Sequence, residues 1–222
     1  QHYRNIPLPQ RIEALKRWLE DELDFSEYTL NPASSDASFR RYFRVTHEGA
    51  SYIVMDAPPE REDTRAFVTV DRLLFDVGLN VPEIIDENPG EGYLLLGDLG
   101  DRLYLDELNE DTVERLYGDA LAALAAIQIC RPGAGVLPPY DRELLMKEMH
   151  LFRDWLVGTH LGMEFPEADA RMLSSTFEQL AENALAQPQV VVHRDYHSRN
   201  LMITGSNNPG IIDFQDAVIG PV

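Results

Sequence analysis

The stretch "VVVHRDYHSRNLMITGSNNPGIIDFQD", Val190 to Asp216, constrains the fold more tightly than any other part of this chain. "QVVV" is a short β-branched run, so His193-Arg194-Asp195 falls where a strand gives way to a loop. "NLMI", residues 200–203, reads as a second strand and "GSNNPG" as a turn. "GII" is then a third strand, and it delivers Asp213. A hairpin of this kind sets Asp195, Asn200 and Asp213 at the ends of neighbouring strands, facing one space.

The rest of the chain fits around that hairpin in a definite order. Ile12, Leu15, Leu19 and Leu23 make one stripe of a helix over residues 10–23. The polar "NPASSDAS" that follows has turn formers and no periodicity. Strands are expected over residues 39–46 and 52–55, joined by "HEGA" as a hairpin turn. Ala66, Phe67, Val70, Leu73, Leu74 and Val77 mark a helix over 64–77 that closes on Gly78. "GYLLL" is a buried strand and "GDLGDR" a polar connector. Beyond it, helices are expected over 112–129, 142–157 and 167–186. Strands first and helices second point to an α+β, bilobal chain, not an alternating βαβ sheet. The expected division is a nucleotide-sized lobe over 1–97 and a second lobe over 98–222, hinged about 96–101, with a ligand cleft between them.

Composition excludes some partners. The 222 residues carry a formal charge of −19, against the basic footprint that nucleic-acid backbones require. An acidic surface suits a cationic substrate, and it equally suits simple solubility. No apolar run approaches the ~20 residues that span a membrane, and no secretory signal is legible. The single cysteine, Cys130, reads as a buried structural thiol in an alanine-rich helix. Together these features point to a cytoplasmic setting; nothing in the sequence reports on self-association.

The chemistry follows from the hairpin. Phosphoryl transfer to a hydroxyl needs one carboxylate to orient the hydroxyl proton, and an amide oxygen with a second carboxylate to hold Mg²⁺. The order His193-Arg194-Asp195, Asn200, Asp213-Phe214 is the H-R-D-x-x-x-x-N and D-F pattern of kinase catalytic loops. An ATP- and Mg²⁺-dependent kinase is the reading this favours.

His197 and Leu201 extend the match to H-x-D-x-H-x-x-N-L, and I-D-F-Q-D-A with Gly220-Pro221 follows. In this form the sequence resembles the aminoglycoside phosphotransferase and choline kinase family of small-molecule kinases. "SSDASFRRYFRV", "YIVMDAPPE" and "YLLLGDLGDR" extend the likeness along nearly the whole chain. Among family members, these stretches look most like sugar kinases that act on the anomeric hydroxyl of N-acetylmuramate or N-acetylglucosamine in cell-wall recycling. The resemblance implies a protein-kinase-like fold, with Asp195 as catalytic base and Asn200 and Asp213 as magnesium ligands. His193 and His197 become loop braces, while Asp216 is either a supporting acid or a turn residue.

Two departures matter. "SSDASF" contains no glycine, so Ser35, Asp36 and Ser38 must cover the nucleotide phosphates with side-chain and backbone groups. The position of the usual lysine holds Met55, which leaves Arg40, Arg41 and Arg44 as substitutes; alternation puts Arg41 on the face opposite the other two. Adenine is expected at the backbone near Leu96, with Asp98 as a ribose or linker contact. Glu148, Trp155, Tyr196 and Arg199 are candidate acceptor contacts, Arg199 as partner of a lactyl carboxylate. Related kinases continue with further helices after the D-F segment, so the helical half is expected to be incomplete or shortened. Competing readings are a kinase for an aminoglycoside or choline-like cation, and a nucleotide-binding pseudokinase.

Overall fold

We describe residues 8–35 and 39–222 of the protein in a computed structural model, without the side chains of Leu8, Pro9, Ser34 and Ser35. The chain packs as two compact units: Gln1–Ala120 with Asp195–Gln215, and Leu121–Arg194 with Asp216–Val222. The Asp195–Gln215 hairpin therefore packs with the sheet-bearing unit, whereas the sequence reading divides the lobes at residue 97.

The first unit is built on an antiparallel sheet of β1 (Thr29–Ser35), β2 (Arg41–His47), β3 (Ala50–Asp56), β4 (Ile84–Asn88) and β5 (Tyr93–Gly97), ordered β1-β2-β3-β5-β4. β2 and β3 meet at Glu48-Gly49, whose φ values of 50° and 79° suit the tight turn that matches strand twist. On one face Phe43, Val45, Val54, Tyr93 and Leu95 pack against Leu15, Trp18 and Leu19. Those last three come from α1 (Leu8–Arg17) and the wider π-type turn Trp18–Glu22 that continues it. The expected helical stripe is thus correct, but its end is wound more loosely than an α-helix.

β1 corrects the reading of "NPASS" as turn. It is an edge strand whose register with β2 shifts between Pro32 and Ser34. An edge needs backbone partners on one side only, so it carries little side-chain signal, and it tolerates proline near a bulge. Helix α2 (Thr64–Asp76) is capped by the Asp63 carboxylate, which accepts from the Arg65 N–H at 3.0 Å, and it buries Phe67, Val70 and Leu74. The unit also holds α3 (Tyr104–Glu107), the start of α4 (Val113–Ile129), and the β7 (Leu201–Met202) and β8 (Gly210–Ile211) hairpin.

The second unit contains the rest of α4, α5 (Arg142–Leu151), α6 (Glu167–Leu185) and the antiparallel pair β6 (Gln189–Val192) with β9 (Val218–Pro221). The helix expected over 142–157 gives way at Phe152–His160 to π-type turns. Phe152 and Leu156 are 46% and 45% exposed there, and Val157 is the residue of the turns that is buried.

Candidate active site

The hairpin is positioned by backbone ties within the first unit. The Ile203 N–H donates to the Arg102 carbonyl at 2.8 Å, the Leu105 N–H to Ser198 at 3.0 Å, and the Ile211 N–H to Asn80 at 2.8 Å. The Asn208 amide donates to the Tyr104 hydroxyl and, at 2.8 Å, to the Asp119 carboxylate. The loop's polar side chains thereby replace a core that such short strands could not provide.

Within this frame the Ile212 N–H donates to the Asn200 carbonyl at 3.1 Å, which brings Asn200 beside Asp213. The Asn200 Nδ2 donates to the Asp195 carbonyl at 3.0 Å and approaches Asp213 Oδ2 at 3.2 Å. Asp213 adopts a left-handed φ of 62°, with Phe214 fully buried after it and 4.9 Å from the Phe67 ring. Gln215 Nε2 donates back to Asp213 Oδ1 at 2.8 Å. The side chains of Asn200 and Asp213 are therefore brought together, while Asp195 joins them through its backbone carbonyl and its own side chain is exposed.

Asn200 and Asp213 line a cavity of about 440 Å³ together with Arg199, Arg44, Leu96 and Asp98. Alternation along β2 and β3 places Tyr42, Arg44 and Ile53 on this side of the sheet, whereas Phe43 and Val54 face α1. The apolar lining includes Phe67, Pro82, Met202 and Ile212, a slot with polar groups at its rim. None of those apolar positions was expected at the site from sequence, Phe67 being read only as part of a helical stripe; the alternation of β2 and β3 carried the signal for Tyr42 and Ile53.

The expected nucleotide contacts divide. Asp36 and Ser38 lie outside the described residues, as does the side chain of Ser35. Arg44 is committed to the connector: its Nε and Nη2 donate to Asp98 at 2.6 and 3.0 Å, and Nη2 also reaches the Gly100 carbonyl at 2.8 Å. Asp98 further accepts from Ser51 Oγ at 2.5 Å and from the Gly100 N–H at 2.9 Å. Burial pushes the Asp98 carboxyl up, but these donors outweigh it and hold the group below its ordinary value. Arg41 lies on the α1 side, paired with fully buried Asp56, to which Arg11 Nε and Nη2 also donate at 2.8 and 2.6 Å. Arg40 pairs more loosely with Glu62, at 3.9 Å. Met55, at the position of the usual lysine, is fully buried.

Of the expected acceptor contacts, Arg199 lines the cavity. Tyr196 instead anchors the loop, its hydroxyl donating to the Ala120 carbonyl at 2.7 Å. In the second unit Glu148 accepts from both Tyr140 and Arg194, and Trp155 is 64% exposed. His193 is buried, and Asp216 and His197 are exposed.

The site fits a magnesium ion of the kind phosphoryl transfer uses. Asn200 brings an amide oxygen and Asp213 a carboxylate to one cavity. Among the described residues no three His, Cys, Asp or Glu side chains cluster to cage a metal. A single carboxylate and an amide oxygen are what Mg²⁺ takes when phosphates and water supply its other ligands.

The chain is similar to known proteins over most of its length. The phosphotransferase enzyme family (APH) matches residues 29–222. Curated relatives named N-acetylmuramate/N-acetylglucosamine kinase include those of Pseudomonas aeruginosa and Pseudomonas putida, 49% and 45% identical over 96% of this chain. A third, from Neisseria meningitidis, is 38% identical over the same share. The chain spans 65% of the length of the two Pseudomonas relatives. Among solved structures, the aminoglycoside phosphotransferase APH(2″)-IIa bound to streptomycin and ATP superposes with a TM-score of 0.62 at 17% identity, covering 94% of this chain and 72% of that one. Plasmodium vivax ethanolamine kinase gives 0.63 at 12% identity, covering 99% and 67%. The fold is thus the α+β, kinase-like one that the sequence implied, and the chain belongs to the phosphotransferase enzyme family.

Proposed function

We propose that this protein is an ATP- and Mg²⁺-dependent kinase acting on the anomeric hydroxyl of N-acetylmuramate or N-acetylglucosamine, in the cytoplasm. The observation that carries the reading is the approach of Asn200 to Asp213 at 3.2 Å on a cavity shared with Arg199 and Asp98. The names of the relatives at 38–49% identity supply the acceptor.

Asp195 accepts the hydroxyl proton as the sugar oxygen bonds to the γ-phosphorus and the bond from that phosphorus to the bridging oxygen of ADP breaks. Mg²⁺, held by Asn200 and Asp213, supplies charge neutralisation to the phosphates. Most of the acceleration comes from positioning. Residues 1–97 serve the nucleotide and 98–222 the catalytic and acceptor side. The backbone at Leu96 reads the base. One of Arg40, Arg41 and Arg44 takes the place of the usual lysine at the phosphates. Arg199 pairs with the lactyl carboxylate of N-acetylmuramate, and Glu148 and Trp155 flank the acceptor.

The test is ³¹P NMR of the protein with Mg-ATP and N-acetylmuramate, N-acetylglucosamine, an aminoglycoside or choline. A sugar-1-phosphate signal is expected. A product with a cationic acceptor alone would overturn the sugar assignment. Buried Met55 favours one other reading, a pseudokinase, which nucleotide binding without any product would support.

A further inference from the structure

The sequence reading puts Arg44 at the phosphates and Asp98 at the ribose, but the two side chains are spent on each other. Arg44 stands on β2, and β3 lies between that strand and β5, so its side chain crosses a whole strand to reach the connector that follows β5. Its Nε donates to Asp98 Oδ2 at 2.6 Å, and its Nη2 donates to Asp98 Oδ1 at 3.0 Å and to the Gly100 carbonyl at 2.8 Å. Those bonds use three of the five N–H groups of a guanidinium. Asp98 Oδ1 also accepts from the Gly100 N–H at 2.9 Å, and Oδ2 from Ser51 Oγ at 2.5 Å. A carboxylate has about four acceptor sites, so these donors fill Asp98. The two side chains are 32% and 7% exposed. Upstream, the Gly97 N–H is held by the Glu83 carbonyl at 2.8 Å. The connector is thus tied on both sides of Asp98 and Leu99, and both of those residues line the cavity.

We infer that Arg44 is a positioning residue for the nucleoside: it holds the Asp98–Gly100 connector in the shape that takes the base, and does not itself neutralise phosphate. The inference rests on the proposed placement of the base at the connector backbone. Backbone groups bind a flat base tightly only when their directions are set beforehand, since ordering a loose segment costs affinity. This connector includes Gly100 at φ 93°, a conformation that an untied glycine would share with many others. A bidentate guanidinium is a planar, rigid tie that one ammonium group cannot copy. A phosphate contact makes a different demand, because lysine serves phosphate well as a point charge. Saturation of Asp98 also removes it as an acceptor for the ribose hydroxyls.

The test titrates the protein with adenosine and, separately, with Mg-ADP, followed by ligand-observed NMR, in wild type, Arg44→Met and Arg44→Lys. Loss of the tie is expected to weaken adenosine and Mg-ADP by the same factor, on the order of tenfold in Arg44→Met. Arg44→Lys keeps the charge and serves as a second variant should the first fail to fold; it is expected to weaken both ligands as well. A loss confined to Mg-ADP, with Arg44→Lys near wild type, would overturn the inference in favour of a phosphate contact. Adenosine affinity within about twofold of wild type in both variants would also overturn it, whatever happens to the thermal midpoint, because a merely structural tie need not touch base binding. Failure of the wild-type protein to bind either ligand would instead overturn the placement of the nucleotide, and the inference with it.

Discussion

Replacing Asp56 by alanine should unfold the first unit far more readily than a loss of one surface charge would suggest. The carboxylate is fully buried and serves two guanidinium groups: Arg11 through Nε and Nη2 at 2.8 and 2.6 Å, and Arg41 on its other oxygen. Arg11 is 2% exposed, lies 4.9 Å from the Tyr93 ring, and keeps one further acceptor, the Glu91 carbonyl at 2.6 Å. Its charge therefore cannot reach water when Asp56 is removed. Breaking one partner out of such a buried pair costs about 3–5 kcal/mol. Arg41 adds little to that sum, because its side chain is 28% exposed and can turn outward. Urea denaturation reads the loss as a lower midpoint at an unchanged slope. The double variant Arg11→Met/Asp56→Leu should recover most of it, since an apolar pair of similar volume replaces a buried ionic one at little net cost. A loss below about 1 kcal/mol for Asp56→Ala, the scale of an exposed pair, would refute the reasoning.

Two other perturbations follow from buried or constrained positions. Asp71 on α2 is 2% exposed and its Oδ2 has no hydrogen-bond partner; burial raises its carboxyl from 3.8 to about 7, only slightly offset by Arg72. Between those values the folded protein holds the extra proton, so the contribution of Asp71 to stability is fully present below 3.8 and is lost as pH rises to 7, by on the order of 4 kcal/mol at about 1.4 kcal/mol per pH unit. Asp71→Asn should flatten that slope in denaturation curves taken from pH 4 to 8; an unchanged slope would refute it. Gly92 has φ 74°, and a Cβ there would stand 1.9 Å from the Ala57 carbonyl oxygen. Gly92→Ala should cost more than the roughly 1–3 kcal/mol of a left-handed non-glycine residue alone, and a thermal midpoint equal to wild type would contradict that.

The sequence was most legible where local chemistry and geometry coincide. The Asp195, Asn200 and Asp213 pattern announces its own strands, since Asp195 follows one apolar run, Asn200 opens the next and Asp213 ends the third, and the stripes of α1 and α2 announce their buried faces. Edge strands β1 and β4 stayed hidden because they contribute backbone groups and few buried side chains. The arginines show a different limit. Alternation correctly separated Arg41 from Arg44, but sequence spacing cannot show that Asp98, 54 positions away, claims Arg44, or that Asp56 claims Arg41. Gln215 was invisible for a related reason: a side chain folding back two residues depends on the left-handed turn at Asp213.

In the proposed reading Asp195 handles the hydroxyl proton while Asn200 and Asp213 hold the metal-bound nucleotide. Single-turnover transfer from γ-labelled Mg-ATP to N-acetylmuramate tests it most directly, with nucleotide affinity measured on the same samples. Asp195→Asn should slow transfer by about 10²–10⁴-fold while leaving Mg-nucleotide affinity near wild type, whereas Asp213→Asn should weaken that affinity as well. Transfer by Asp195→Asn at the wild-type rate would contradict the account.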